Sequence, residues 1–151
     1  GYKLCIYGEG ELREKLVKLI QQLSLNDAVS LPGNVKDIHE QIADAEMFVL
    51  SSNYEGLSNA LLEAMMIGIP CISTNCAGSN EVIQDGVNGL LVPIGSSEKL
   101  VEAMKKIIED QEFASKLASN AKKSSIQFNY DTVLEKWESV IFNKVNDSGE
   151  Y

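Results

Sequence analysis

Met47-Phe48-Val49-Leu50-Ser51-Ser52-Asn53-Tyr54-Glu55-Gly56-Leu57-Ser58-Asn59-Ala60-Leu61-Leu62-Glu63-Ala64-Met65-Met66-Ile67 holds a short apolar run, a polar turn with a glycine, and an apolar run too long for an ordinary strand. Residues 47–50 are apolar without a break, as a strand buried on both faces requires. Residues 58–67 predict a helix, with Ser58 at its start. Strand, loop and helix in that order make one β/α cycle.

The cycle repeats on either side. Toward the N-terminus, residues 2–7 form an apolar run closed by Gly8-Glu9-Gly10, after which Leu12, Leu16, Leu19, Ile20 and Leu23 recur at helical spacing. Residues 28–31 form a second strand ended by Pro32-Gly33, and a short helix over 37–43 turns Ile38 and Ile42 inward. Beyond the central stretch come a strand at 70–73, a helical turn near 79–84 and a last strand at 89–92 closed by Pro93. The period is then helical only, over 97–110, 112–125 and 131–142, with Ser96 and Asp131 placed as N-caps. The implied fold is α/β, a Rossmann-like doubly wound parallel sheet followed by C-terminal helices. Residues 1–143 read as one domain and 144–151 as a flexible tail. Ligands of such sheets bind beyond the carboxyl ends of the strands, which selects the loops at 8–11, 33–36, 51–59 and 74–81.

Composition narrows the function. A chain of 151 residues with 44% apolar content can bury one sizeable core. Its net charge of −9, with no basic stripe, excludes nucleic acid as a partner and makes a diphosphate ligand dependent on helix N-termini and backbone amides. The three cysteines lack metal or disulfide spacing and are expected as reduced, packed thiols, so no metal is assigned. The apolar runs are too short to span a bilayer and no secretion leader opens the chain, which leads to a cytoplasmic expectation.

The central loop carries the chemistry. On a helical wheel Glu63 lies near Asn59, opposite Leu61, Leu62 and Met65, so it is expected as a buried carboxylate aimed at the ligand edge of the sheet. Two acceptor oxygens suit a pair of neighbouring hydroxyls such as a ribose diol. Glu55 stands at the strand end beside Gly56, where a ligand can approach the backbone, and its natural partner is a sugar. The amides of Leu57, Ser58 and Asn59 open the helix and favour phosphate oxygens.

Glu55 and Glu63, with seven residues between them, resemble the Glu-x7-Glu signature of the group 1 (family 4) retaining glycosyltransferases of the two-Rossmann-domain (GT-B) type. The resemblance extends through Tyr7-Gly8-Glu9-Gly10, Leu31-Pro32-Gly33-Asn34-Val35, Phe48-Val49-Leu50-Ser51, Gly68-Ile69-Pro70, Gly78-Ser79-Asn80-Glu81 and Asp85-Gly86-Val87-Asn88-Gly89-Leu90-Leu91-Val92-Pro93. It implies the C-terminal, nucleotide-sugar-binding half of such an enzyme. Glu63 would hold the donor ribose, and Glu55, the catalytic candidate, would contact the donor sugar near the reacting carbon. Gly56, Leu57, Ser58 and Asn59 would face the sugar and diphosphate. The base-binding loop maps onto residues 33–36, with Asn34 and Val35, and the glycine turn onto Gly8 and Gly10. Ala77 departs from the pattern, standing where the family commonly has the first glycine of a pair.

The resemblance also implies that an earlier central strand, a basic pair clamping the diphosphate and an N-terminal acceptor-binding domain lie outside this chain. The isolated chain is therefore expected to be inactive and, with sheet edges and apolar surface exposed, to self-associate. The implied substrate is a UDP- or GDP-linked sugar, with no cofactor. The implied process is polysaccharide, glycolipid or other glycoconjugate synthesis by a full-length enzyme at the inner face of the membrane.

Two other readings compete. A nicotinamide-binding module would use Gly8-x-Gly10, but Arg13 occupies its third glycine position and no acidic residue ends the strand at Leu31. A non-catalytic nucleotide-sugar-binding subunit would need a separate acceptor-binding partner. His39 reads as solvated, Asp44 and Glu46 as a helix end, and Tyr54 as either a stacking or a core residue.

Overall fold

The computed structural model describes residues 1–147, which divide between residues 41 and 42 into two units. In the first, β1 (Leu4–Tyr7) and β2 (Val29–Gly33) flank α1 (Arg13–Gln22), and α2 (Ile38–Ile42) runs across the division. In the second, β3 (Phe48–Leu50), α3 (Asn59–Ile67), β4 (Cys71–Thr74), α4 (Ala77–Val82) and β5 (Leu90–Val92) precede three helices, α5 (Ser97–Glu109), α6 (Gln111–Ser125) and α7 (Tyr130–Asp147). Every strand pairing is parallel. β1 pairs with β2 through Leu4 to Val29, Cys5 to Ser30 and Tyr7 to Gly33. The second sheet has the order β3-β4-β5, with Phe48 opposite Cys71 and Ile72 opposite Leu90. The α/β alternation followed by helices is the architecture expected of a Rossmann-like half.

The core of the second unit is built around β4, whose four residues are all buried. Ile72 packs with Leu90 and Val92 of β5 and with Ala103, Ile107, Ala114 and Leu117 of α5 and α6. Strand alternation sends Cys71 and Ser73 to the opposite face. Ser96 caps α5 by accepting from the Lys99 amide, as expected. Gly68 ends α3 in the left-handed conformation (φ 90°, ψ 45°), and its amide closes on the carbonyls of Ala64 and Met65. Asn88, buried in the loop before β5, accepts from the Gln84 amide at 2.7 Å and donates to the Val82 carbonyl at 3.1 Å and the Ser124 hydroxyl at 2.9 Å. One amide thereby ties that loop to α6.

The first unit departs from the expectation that its strands are covered on both faces. Leu4, Cys5 and Ile6 are exposed on β1, and α1 has no buried residue. A unit of 41 residues has too little apolar surface to enclose a core. Cys5, expected as a packed thiol, is exposed beside the Ser30 hydroxyl, while Cys71 and Cys76 are buried.

Several boundaries shift: β1 begins at Leu4, two residues past its expected start, and β2 continues through Pro32 and Gly33, the pair expected to end it. The short helix after β4 begins at Ala77, two residues before its expected start, and ends at Val82. Asn129, not Asp131, caps α7, because its Oδ1 accepts from the Thr132 amide at 2.8 Å. α7 continues through Asp147, past its expected end at Phe142; residues 148–151 of the expected tail lie outside the described residues.

Burial pushes the Cys71 thiol up to about 12. The folded chain thus keeps its proton between roughly pH 9 and pH 12, where an unfolded cysteine loses it, so stability falls as pH rises through that window. The unfolding free energy from urea titrations should decline at up to about 1.4 kcal/mol per pH unit above pH 9, and Cys71→Ala should remove that part of the decline. An identical decline in the variant would disprove the assignment.

Among the described residues β1 pairs only with β2, and β3 only with β4, leaving one edge of each without a strand partner. Val133, Trp137, Val140 and Ile141 add an exposed apolar stripe on α7. Sedimentation velocity should show concentration-dependent association. A monomer at every concentration with sharp two-state unfolding would contradict this.

Candidate functional site

The loop from β3 to α3 is fixed by polar contacts before any ligand enters. Ser58 is buried and its hydroxyl accepts from the Leu61 amide at 3.4 Å, capping α3. The first intrahelical bond runs from the Leu62 amide to the Ser58 carbonyl, so Asn59 and Ala60 have no carbonyl one turn back to donate to. Asn59 and Ala60 are exposed at this end of the helix, beside exposed Gly56 and Leu57. The arrangement can receive an anion through backbone amides, without a cationic side chain.

Glu55 is half-buried and held at two of its atoms. Its Oε2 accepts from the Ser52 hydroxyl at 3.1 Å, and its carbonyl accepts from the Gly78 amide at 3.0 Å. The Ser52 carbonyl in turn accepts from the Thr74 hydroxyl at the end of β4. The Ser73 hydroxyl donates to Ser79 at 2.8 Å, and Ser79 lies 3.2 Å from the Cys76 sulfur. Burial pushes the Cys76 thiol up, but hydrogen bonds from Ser79 and from Thr74 outweigh it and leave the thiol below its ordinary value.

On α3, Leu61, Leu62, Ala64 and Met65 are buried, and Glu63 shares the other side with exposed Asn59. Glu63 is half-buried rather than buried. A partly solvated carboxylate carries a smaller desolvation cost than a buried one.

The remaining sequence-selected residues belong to the first unit. Gly8 adopts φ 114° and its amide donates to the Gly33 carbonyl at 2.9 Å, joining the glycine turn to the end of β2. The Gly10 carbonyl accepts from the Arg13 amide at 3.1 Å. The Arg13 side chain donates to the Leu31 carbonyl at 2.8 Å and pairs with Glu9 at 3.0 Å. Arg13, which breaks a nicotinamide fingerprint in the sequence, therefore pins the turn. A cavity of about 190 Å³ opens beside it, lined by Ile6, Tyr7, Gly8, Glu9, Gly10 and Leu12 among others. Asn34 is exposed and Val35 half-buried after β2.

His39 is exposed on α2, and Asp44 and Glu46 are exposed after its end. Tyr54 is 84% exposed, which removes its core-packing reading. Ser52, Thr74 and Gly78 went unrecognised as supports of Glu55. Only Ser52, three residues before a loop carboxylate, carries a local signal; Thr74 and Gly78 reach the loop from across the chain. Among the described residues no group of three or more His, Cys, Asp or Glu could hold a metal ion, and no helix is long and apolar enough to cross a membrane.

The model of the family described as glycosyl transferases group 1 matches residues 1–124. The chain is 31% identical over 145 residues to the lipopolysaccharide core biosynthesis glycosyltransferase LpsE of Rhizobium meliloti, covering 95% of this chain and 43% of LpsE. It is also 31% identical over 138 residues to the putative glycosyltransferase EpsD of Bacillus subtilis, covering 91% of this chain and 36% of EpsD. Among solved structures, Anabaena HepE in complex with UDP-glucose superposes with a TM-score of 0.86 at 26% identity, covering 93% of this chain and 41% of that one. The complex of HepE with UDP gives a TM-score of 0.88 at 25% identity, covering 94% and 41%. The chain thus spans about two fifths of the length of these relatives.

Proposed function

Because the chain belongs to the glycosyl transferases group 1 family, we propose that it binds a UDP-linked sugar for retaining transfer of that sugar to an acceptor hydroxyl in glycoconjugate synthesis. The observation that carries the reading is the β3–α3 connection, where a half-buried Glu55, the open amides of a capped helix and Glu63 follow one another within nine residues. Glu63 accepts from the ribose diol, the helix-end amides face the diphosphate, and Glu55 accepts from donor-sugar hydroxyls near the anomeric carbon. The choice of uridine is supported by the UDP and UDP-glucose complexes of HepE.

In the proposed reaction the bond from the anomeric carbon to the diphosphate oxygen breaks and a bond to the acceptor oxygen forms on the same face. The departing diphosphate oxygen takes the acceptor proton. The chain's own part is positioning and stabilisation of negative charge by preorganised donors. Acceptor binding and turnover are proposed to need the remainder of a longer enzyme, in keeping with relatives more than twice this length.

Ligand-observed NMR with UDP should detect binding by the purified chain, weakened roughly tenfold or more in Glu63→Gln, as loss of a charged hydrogen-bond acceptor predicts. Equal binding by the variant would remove the ribose assignment. The same chain should show no sugar transfer from UDP-glucose to added acceptors, and clear turnover would show that it is catalytically sufficient.

A further inference from the structure

We infer that Ser52 and Gly78 are positioning residues for Glu55, locking the loop over residues 51–58 onto the first turn of α4 so that the carboxylate is preset before the donor arrives. The inference rests on the reading that Glu55 contacts the donor sugar. Gly78 has no positive φ, so its role is not conformational freedom. It is space: a Cβ there would overlap the carbonyl oxygen and carbon of Gly56 and lie 2.9 Å from the Glu55 carbonyl oxygen. All three obstacles are backbone and cannot rotate away. Any side chain at position 78 must push the loop off α4 and break the 3.0 Å bond from the Gly78 amide to the Glu55 carbonyl.

Ser52 acts at the other end of the residue. Its hydroxyl donates to Glu55 Oε2 at 3.1 Å, while its own carbonyl is anchored by the Thr74 hydroxyl on fully buried β4. The restraint on the carboxylate is thereby referred to the best-packed strand of the unit. A glutamate on an open loop samples many rotamers, and ordering it on ligand binding lowers affinity. Holding the carbonyl through Gly78 and the carboxylate through Ser52 removes most of that freedom in advance. Both supports act on Glu55, so the lock concerns the sugar contacts assigned to that residue.

The test compares UDP-glucose with UDP on the purified chain by ligand-observed NMR, with circular dichroism confirming that each variant folds. Ser52→Ala should weaken UDP-glucose about three- to tenfold and leave UDP unchanged, Ser52→Thr should restore the preference, and Ser52→Ala should have no further effect in Glu55→Gln. Gly78→Ala should match Glu55→Gln; if it does not fold, the Ser52 series decides alone. Hydrogen exchange gives a ligand-free check, since the Gly78 amide should be protected in the wild-type chain, and fast exchange would overturn the lock. If Glu55→Gln lowers the preference for UDP-glucose but Ser52→Ala and Gly78→Ala do not, the positioning role is refuted and the Glu55 reading survives. If Glu55→Gln leaves that preference intact, or the wild-type chain binds neither nucleotide, the sugar reading falls and the inference with it.

Discussion

The second unit is organised by the burial of β4. Cys71–Thr74 is flanked by β3 and β5 and covered so completely that its serine and threonine hydroxyls cannot rely on water. A buried hydroxyl without a partner costs about 1–3 kcal/mol, so each must find an acceptor nearby. Ser73 finds Ser79 on α4, and Thr74 finds the Ser52 carbonyl on the loop after β3. The loop that carries Glu55 and the helix that carries Gly78 are thus moored to one strand by the same requirement. The apolar half of that strand does the complementary work, since Ile72 gathers β5, α5 and α6 into the core.

Charge explains the form of the site. With 22 acidic against 13 basic side chains, the net charge of the chain repels a phosphate, so positive potential has to be supplied locally. Amides at the start of a capped helix supply partial positive charge without a further side chain. Ser58 makes that possible by satisfying the Leu61 amide, which keeps the helix wound up to its first turn, while Asn59 and Ala60 stay exposed. Glu63 lies on the same exposed side as Asn59, and its partial solvation lets a second carboxylate sit in an acidic domain without full desolvation.

What the sequence made legible was whatever depends on neighbours within a helical turn or a strand. The period of α3 separated Leu61, Leu62 and Met65 from Glu63, and Ser96 marked the start of α5 through a contact three residues away. Near misses occurred where two residues could do one job: Asn129 and Asp131 are both good caps, and only the backbone decides that Asn129 receives the Thr132 amide. The exposure of β1 was illegible for a different reason. An apolar run says that a strand should be covered, not that the covering elements are present, and α1 offers it no buried side chain. The Thr74 to Ser52 bond joins residues 22 apart and has no local signature at all.

The pair of residues opening α4 shows how one departure from a family pattern can be harmless and the next position intolerant. Ala77 stands where the resemblance puts a glycine, and it is exposed, so its methyl group faces solvent and not the packed backbone. Gly78 is buried one position later, and its Cα faces the carbonyl of Gly56 across a gap that no methyl can enter. Two backbones meet there without a side chain between them, and this close approach brings the Gly78 amide within bonding distance of the Glu55 carbonyl. Glycine at position 56 is exposed and meets no such obstacle, so the two glycines serve opposite sides of one contact: Gly56 leaves the loop's outer surface open, and Gly78 lets its inner surface seat.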